Sequence, residues 1–219
     1  MSGHAATTRA DQPHRKEDLT AWGCFVCWCV CAGLARYIGI WYADGTAGIL
    51  LGITVLLVDR NQLLARAQLR WPLITAGLAA GIIMTTVTYV LYPFVGHFVP
   101  AVVTQAAALY ATLGQAEPAR AALVLPLVIA GEELVWRGAV QGALERRLGP
   151  AWAAVIGTLA YGLAVAPIGS PLLVAIALGC GIYWAALRAY FGSLTPALIS
   201  HLIWSAVVFL IAPLSQAGR

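Results

Sequence analysis

Gly131-Glu132-Glu133-Leu134-Val135-Trp136-Arg137-Gly138 decides how this chain is read, because it sets three charged residues within six positions of an apolar stretch. Residues 121–130 before it are all apolar, and Ala139 and Val140 continue the apolar character after it. An ionisable side chain at bilayer depth costs at least ~2.5–3.5 kcal/mol on insertion scales, so it faces a bundle interior and marks function. On a helix Glu133 and Arg137 stand four apart, on one face, with the acid before the base, which is the better order for pairing. That pair holds Arg137 among apolar neighbours. Glu132 is rotated about 100° away and has no partner within its own helix. Its carboxylate is left to take a proton from water.

The rest of the chain says what surrounds these charges. Of 219 residues 61% are hydrophobic and only 10% are charged, with a mean hydropathy of +0.82. Soluble domains carry about 25% charged residues. The composition therefore predicts an all-α, polytopic transmembrane helix bundle. A crossing needs about 20 apolar residues, and candidate spans run over 19–42 (interrupted by Arg36), 45–58, 72–95, 121–144, 151–167, 171–187 and 194–212. The segment 98–113 is apolar but short, so about seven to eight spans are expected. Residues 1–18 read as a polar tail, 19–214 as one membrane-embedded domain and 215–219 as a second tail. Gly149-Pro150, Pro167 with Pro171, and Gly192 to Pro196 punctuate the helices.

Charge sets the orientation and excludes a class of partners. The net charge of +4 is scattered between apolar segments, so no nucleic-acid surface is expected. The N-terminus lacks the basic, apolar and small-residue order of a cleavable signal, so the first apolar segment is expected to stay. If 98–113 does not cross, Arg9, Arg15, Lys16, Arg60, Arg66, Arg70, Arg146, Arg147 and Arg188 share one side, against Arg120 and Arg219. The positive-inside rule then puts the N-terminus in the cytoplasm, and an integral protein of a bacterial inner membrane is expected. Cys24, Cys27, Cys29 and Cys31 crowd the first span without a histidine or acid at ligand spacing. They read as small hydrophobes of a membrane helix, and neither a metal nor a cofactor is expected.

A second group lies near the start of the last span, where Ser205 follows His201 by one turn on the same face. At ~1.5 Å per residue, Glu132 sits roughly 16 Å below one membrane face and His201 roughly 10 Å above the other. In a core ~30 Å thick those heights nearly meet. A carboxylate and an imidazole around a buried water, with a hydroxyl beside them, form a hydrolytic constellation: the carboxylate takes the proton, and His201 with Ser205 donates to the oxyanion. Gly-x-Ser-x-Gly, His-Glu-x-x-His and phosphate-loop patterns are absent, which leaves serine hydrolases, zincins and nucleotide enzymes without support.

Glu132-Glu133-Leu-Val-Trp-Arg137, the following residues to Pro150, and Gly192-Ser-Leu-Thr-Pro-Ala-Leu-Ile-Ser-His201-Leu-Ile-Trp-Ser205 resemble the motifs of the CPBP family, the CAAX proteases and bacteriocin-processing enzymes also called Abi. The resemblance implies an intramembrane glutamic endopeptidase with its core over about 121–212. Glu132 would be the base, Glu133 and Arg137 its support, and His201 with Ser205 the oxyanion site. It also implies a membrane-embedded or lipid-anchored protein or peptide substrate reached through the bilayer. The chain departs from the family in the middle motif, Tyr161-Gly-Leu-Ala-Val165, where valine replaces a water-positioning histidine. Two other readings stay open: a catalytically silent member acting as a scaffold or immunity-type binding partner, and a proton-coupled carrier with Glu132 as its relay. The sequence leaves the oligomeric state open.

Overall fold

Glycine decides where this apolar chain turns back on itself. Gly39 has φ 86° and Gly149 φ 77°, a left-handed backbone region that residues with a Cβ seldom enter. The computed structural model describes residues 11–114 and 117–214. Their regular structure is entirely helical: α1 (Asp11–Ile38), α2 (Ile40–Val58), α3 (Arg60–Arg66), α4 (Trp71–Phe98), α5 (Pro100–Leu113), α6 (Pro118–Glu132), α7 (Gln141–Val165), α8 (Pro171–Phe191) and α9 (Leu194–Ser205). A π-helical stretch, Glu133–Val140, joins α6 to α7, and another, Ala206–Ile211, extends α9.

Among the described residues six helical stretches are long and apolar enough to cross a membrane. One of them, Ala119–Ile168, has 50 residues and is folded double at Gly149. Its two arms run antiparallel, since Tyr161 packs on Trp136 with ring centroids 5.0 Å apart and bonds back to Glu132. That fold gives seven candidate crossings among the described residues. At 14 residues, roughly 21 Å of rise, α5 is too short to cross. It lies instead over one end of the bundle, where Gln105 accepts from the Leu172 amide (2.9 Å) and the Leu113 carbonyl accepts from Trp41 (2.9 Å).

Two expectations need correction. The span over 19–42 is two helices, because the break falls at Gly39; Arg36 therefore sits at the end of α1 and does not interrupt a crossing. Asp44, placed by the sequence between two spans, lies inside α2. Within the stretch read as a polar tail, 1–18, the helix already begins at Asp11 and runs unbroken into the first span. Residues 1–10 and the tail 215–219 lie outside the described residues, and Arg9 and Arg219 with them.

Packing follows small residues. A side chain on Gly131 would run into the Gly48 backbone, and one on Gly52 would stand 2.9 Å from the Gly131 Cα. Helices in lipid gain most from such close backbone approach, and here it fixes α2 beside the Glu132 turn. Leu50, Leu57, Ile82, Leu123, Leu159 and Leu163 point outward and exposed, as side chains facing lipid do. At one end, where the basic residues gather, Arg146 meets Glu17 (3.0 Å) and Asp18 (2.8 Å), Arg147 meets Asp18, and Glu145 meets Arg188 (2.7 Å) and Arg66 (3.8 Å).

Candidate active site

The regular helix of α6 stops at Glu132, and the next eight residues open into wider π turns. Such widened turns concentrate at functional sites because they re-aim side chains that an α-helix would place elsewhere. Here Glu133 is turned into the dry interior, 1% exposed, while Glu132 faces a cavity. The sequence treated this stretch as ordinary helix. Nothing in Leu-Val-Trp signals the extra width.

Glu133 is engaged through one oxygen, Oε1, while Oε2 is buried without a hydrogen-bond partner. Its Oε1 lies 3.3 Å from Arg137 Nη1 and 2.9 Å from His201 Nδ1. Arg137 in turn donates through Nη2 to the Gly181 carbonyl at 3.0 Å, and its guanidinium sits 5.1 Å from the Tyr161 ring and 5.4 Å from the Trp184 ring. A buried charge without a partner is strongly destabilising; this one has a carboxylate, a carbonyl and two aromatic faces. The His201 ring stacks on Trp184, centroids 3.5 Å apart and planes 19° apart. With a carboxylate accepting at Nδ1, the proton there is assigned, and Nε2 is left toward Glu132, whose Oε2 is 3.6 Å away. Tyr161 O–H donates to the other Glu132 oxygen at 3.3 Å.

The cavity in front of Glu132 has a volume of about 120 Å³ and is bordered by Asp44, Glu132, Tyr161, Val165, His201 and Ser205 among apolar walls. Since one water occupies ~30 Å³, several fit. Among its described lining residues none is a lysine or arginine. It shares Ile40, Leu109, Ile168 and Leu173 with a wider cavity of about 720 Å³ at the end away from the basic cluster, so its way out leads there.

Of the five residues singled out by sequence, Glu132, Glu133, Arg137 and His201 come into one contact network, and Ser205 borders the same cavity. Val165 borders it too, one turn from Tyr161, so the departure from the family pattern falls at the cavity wall. His97 packs on Phe98 and does not line this space. Two contributors were not foreseen. Trp184 gave no signal, because a tryptophan in an apolar span is ordinary; Asp44 gave one, an acid embedded in apolar sequence, which its apparent place between spans concealed. Cys24 is buried and Cys27 faces outward, and both are free thiols. Among the described residues no three histidine, cysteine or acidic side chains gather as a metal-holding group.

No curated protein and no solved structure matches the chain. One family model does, over residues 114–207, the segment that carries both glutamates, Arg137, Tyr161, His201 and Ser205. Over this segment the chain is similar to the Rce1-like family, the type II CAAX prenyl endopeptidases.

Proposed function

We propose that the protein is an intramembrane glutamic endopeptidase that hydrolyses a peptide bond of a membrane-embedded or lipid-anchored substrate. The observation that supports this most is the unequal setting of the two acids: Glu133 is consumed by Arg137 and His201, while Glu132 faces a cavity with room for water. In this reading Glu132 takes a proton from a cavity water, and the hydroxide adds to the substrate carbonyl carbon. The oxyanion accepts hydrogen bonds from the Ser205 hydroxyl and, when Nε2 carries a proton, from His201. The Glu132 proton then passes to the leaving nitrogen as the C–N bond breaks, and the carboxylate is restored. Arg137 keeps Glu133 charged and in place. Trp184 keeps the imidazole flat against the cavity wall.

The test is cleavage of a membrane-embedded substrate by the purified protein in liposomes. Glu132→Gln should remove the general base and reduce the rate by about 10²–10⁴-fold. The mechanism needs no metal, so EDTA should leave the rate unchanged; loss with EDTA and recovery with zinc would overturn it. Orientation follows from the charge count: a cysteine label after Arg147 should report cytoplasmic and one at Gly169 the far side, and the reverse would refute an N-in bundle. A second reading, a catalytically silent scaffold, is favoured by Val165 alone, since valine at the cavity wall holds no water.

A further inference from the structure

Asp44 is the one acid at this cavity that the mechanism above leaves unused. Its Oδ1 is shut off from solvent and has no hydrogen-bond partner. A buried polar atom left in that state costs about 1–3 kcal/mol, and more when charged. Among the described residues lining the cavity it borders none is a lysine or arginine, and Arg137 is engaged by Glu133. In the free protein cavity water can meet this oxygen, and a donor group carried in by a substrate can replace that water.

The packing of α2 on α6 places this carboxylate along the path. Gly45 approaches Val124 (3.7 Å from the position of a side chain), Gly48 approaches Val128 (3.0 Å) and Gly52 approaches Gly131 (2.9 Å), so the two helices run parallel in a constant register. Asp44 accordingly stands level with the residue before Val124, about nine residues and ~13 Å of helix rise from Glu132. The displacement is toward the end where the cavity continues into its wider mouth, beside Trp41 and Ile40. An extended peptide advances ~3.3 Å per residue. A substrate with its scissile carbonyl at Glu132 therefore carries a side chain about four residues away past Asp44.

We propose that Asp44 is a specificity-determining residue, whose carboxylate receives the ammonium or guanidinium of a basic substrate side chain about four residues from the scissile bond. The inference rests on the endopeptidase reading. An aromatic wall from Trp41 suits the apolar stem of a lysine, and the charge meets the buried Oδ1 of Asp44 beside it. A neutral side chain would leave Oδ1 as it is in the free protein. An acidic one would be repelled by both Asp44 and Glu132.

The experiment uses a set of apolar peptides in which lysine, norleucine or glutamate is moved one position at a time along the segment flanking the cleaved bond. Cleavage by the native protein in liposomes should show one position where lysine exceeds norleucine by at least tenfold in kcat/KM, with glutamate the poorest. In Asp44→Asn that preference should fall below twofold, with an unchanged melting profile. Retention of the same peptides by the native protein, measured without turnover, should show the same preference and the same loss. Cleavage without any lysine preference, or a preference that survives Asp44→Asn, overturns the inference and leaves the endopeptidase reading standing. Absence of cleavage with retention still dependent on Asp44 does the opposite. Should the Asn variant fail to fold, the native scan decides alone, and no position favouring lysine overturns the proposal.

Discussion

At the basic end of the bundle the charges are tied to one another across helices: Arg146 reaches Glu17 and Asp18 on α1, and Glu145 joins Arg188 of α8 to Arg66 of α3. At the other end the helices part around cavities, and the short α5 lies across the opening without filling it. The adjacent acids repeat this contrast within a single turn. Glu133 faces the closed side and is held by two cations or cation-formers; Glu132 faces the open side with a tyrosine and an imidazole edge. Charge that is tied supports the fold. Charge that is left facing a cavity is available for chemistry.

The sharpest way to break that comparison is to neutralise each acid in turn. Glu132→Gln should cut cleavage by about 10²–10⁴-fold while the folded yield and melting temperature in detergent stay near native, because its neighbours are a hydroxyl and an imidazole edge. Glu133→Gln should instead leave Arg137 uncompensated in the interior and lower stability by about 3–5 kcal/mol, since breaking one side of a buried pair is costly. Equal losses of stability in the two variants would erase the distinction between a tied acid and a free one.

The departure at Val165 offers a second, gentler perturbation of the open side. Its isopropyl group borders the cavity one turn from Tyr161, where an imidazole would hold water. Poor positioning of a reacting group can cost a hundredfold in rate, so slow but measurable native cleavage is expected, dependent on Glu132 and His201. Val165→His should raise it by about tenfold or more within that range, at about 1–3 kcal/mol in stability from placing a polar ring among apolar neighbours. Native cleavage no faster than that of Glu132→Gln, with no gain in Val165→His, would favour the silent scaffold.

Much of this arrangement is legible in the sequence because its causes are local. The double acid with Arg137 four residues on specifies the ion pair, and the heights of Glu132 and His201 along antiparallel helices bring them to one level; their contact at 3.6 Å bears that out. Gly149-Pro150 marks the hairpin. What escapes is set by neighbours distant in sequence. The π-helical widening after Glu132, the stacking of Trp184 under His201 and the exposure of Asp44 to the cavity arise only once α2, α6, α8 and α9 pack. The break at Gly39 was written in the chain but hidden by the apolar residues on both sides.

The smallest expected effect lies at the closed end, where one carboxylate is not well tied. Asp59 follows α2 just outside the span, and its side chain titrates higher than an ordinary aspartate, first because it is buried and then because Glu17 is near, against the opposing charges of Arg146 and Arg66. A carboxyl group whose folded value lies above its unfolded one binds protons more readily in the native state. Its contribution to stability is therefore fully present below the unfolded value and is lost as pH rises through the folded one. Asp59→Asn removes that titration. Melting temperatures in detergent, followed from acid to neutral pH, should show the variant gaining on the native protein as pH rises through the carboxylate range, with the difference levelling off near neutrality. The gain should be small, because Arg146 and Arg66 already offset part of the cost. A variant that loses ground to the native protein as pH rises would mean that the arginines outweigh burial, and that Asp59 belongs with the tied charges of this end.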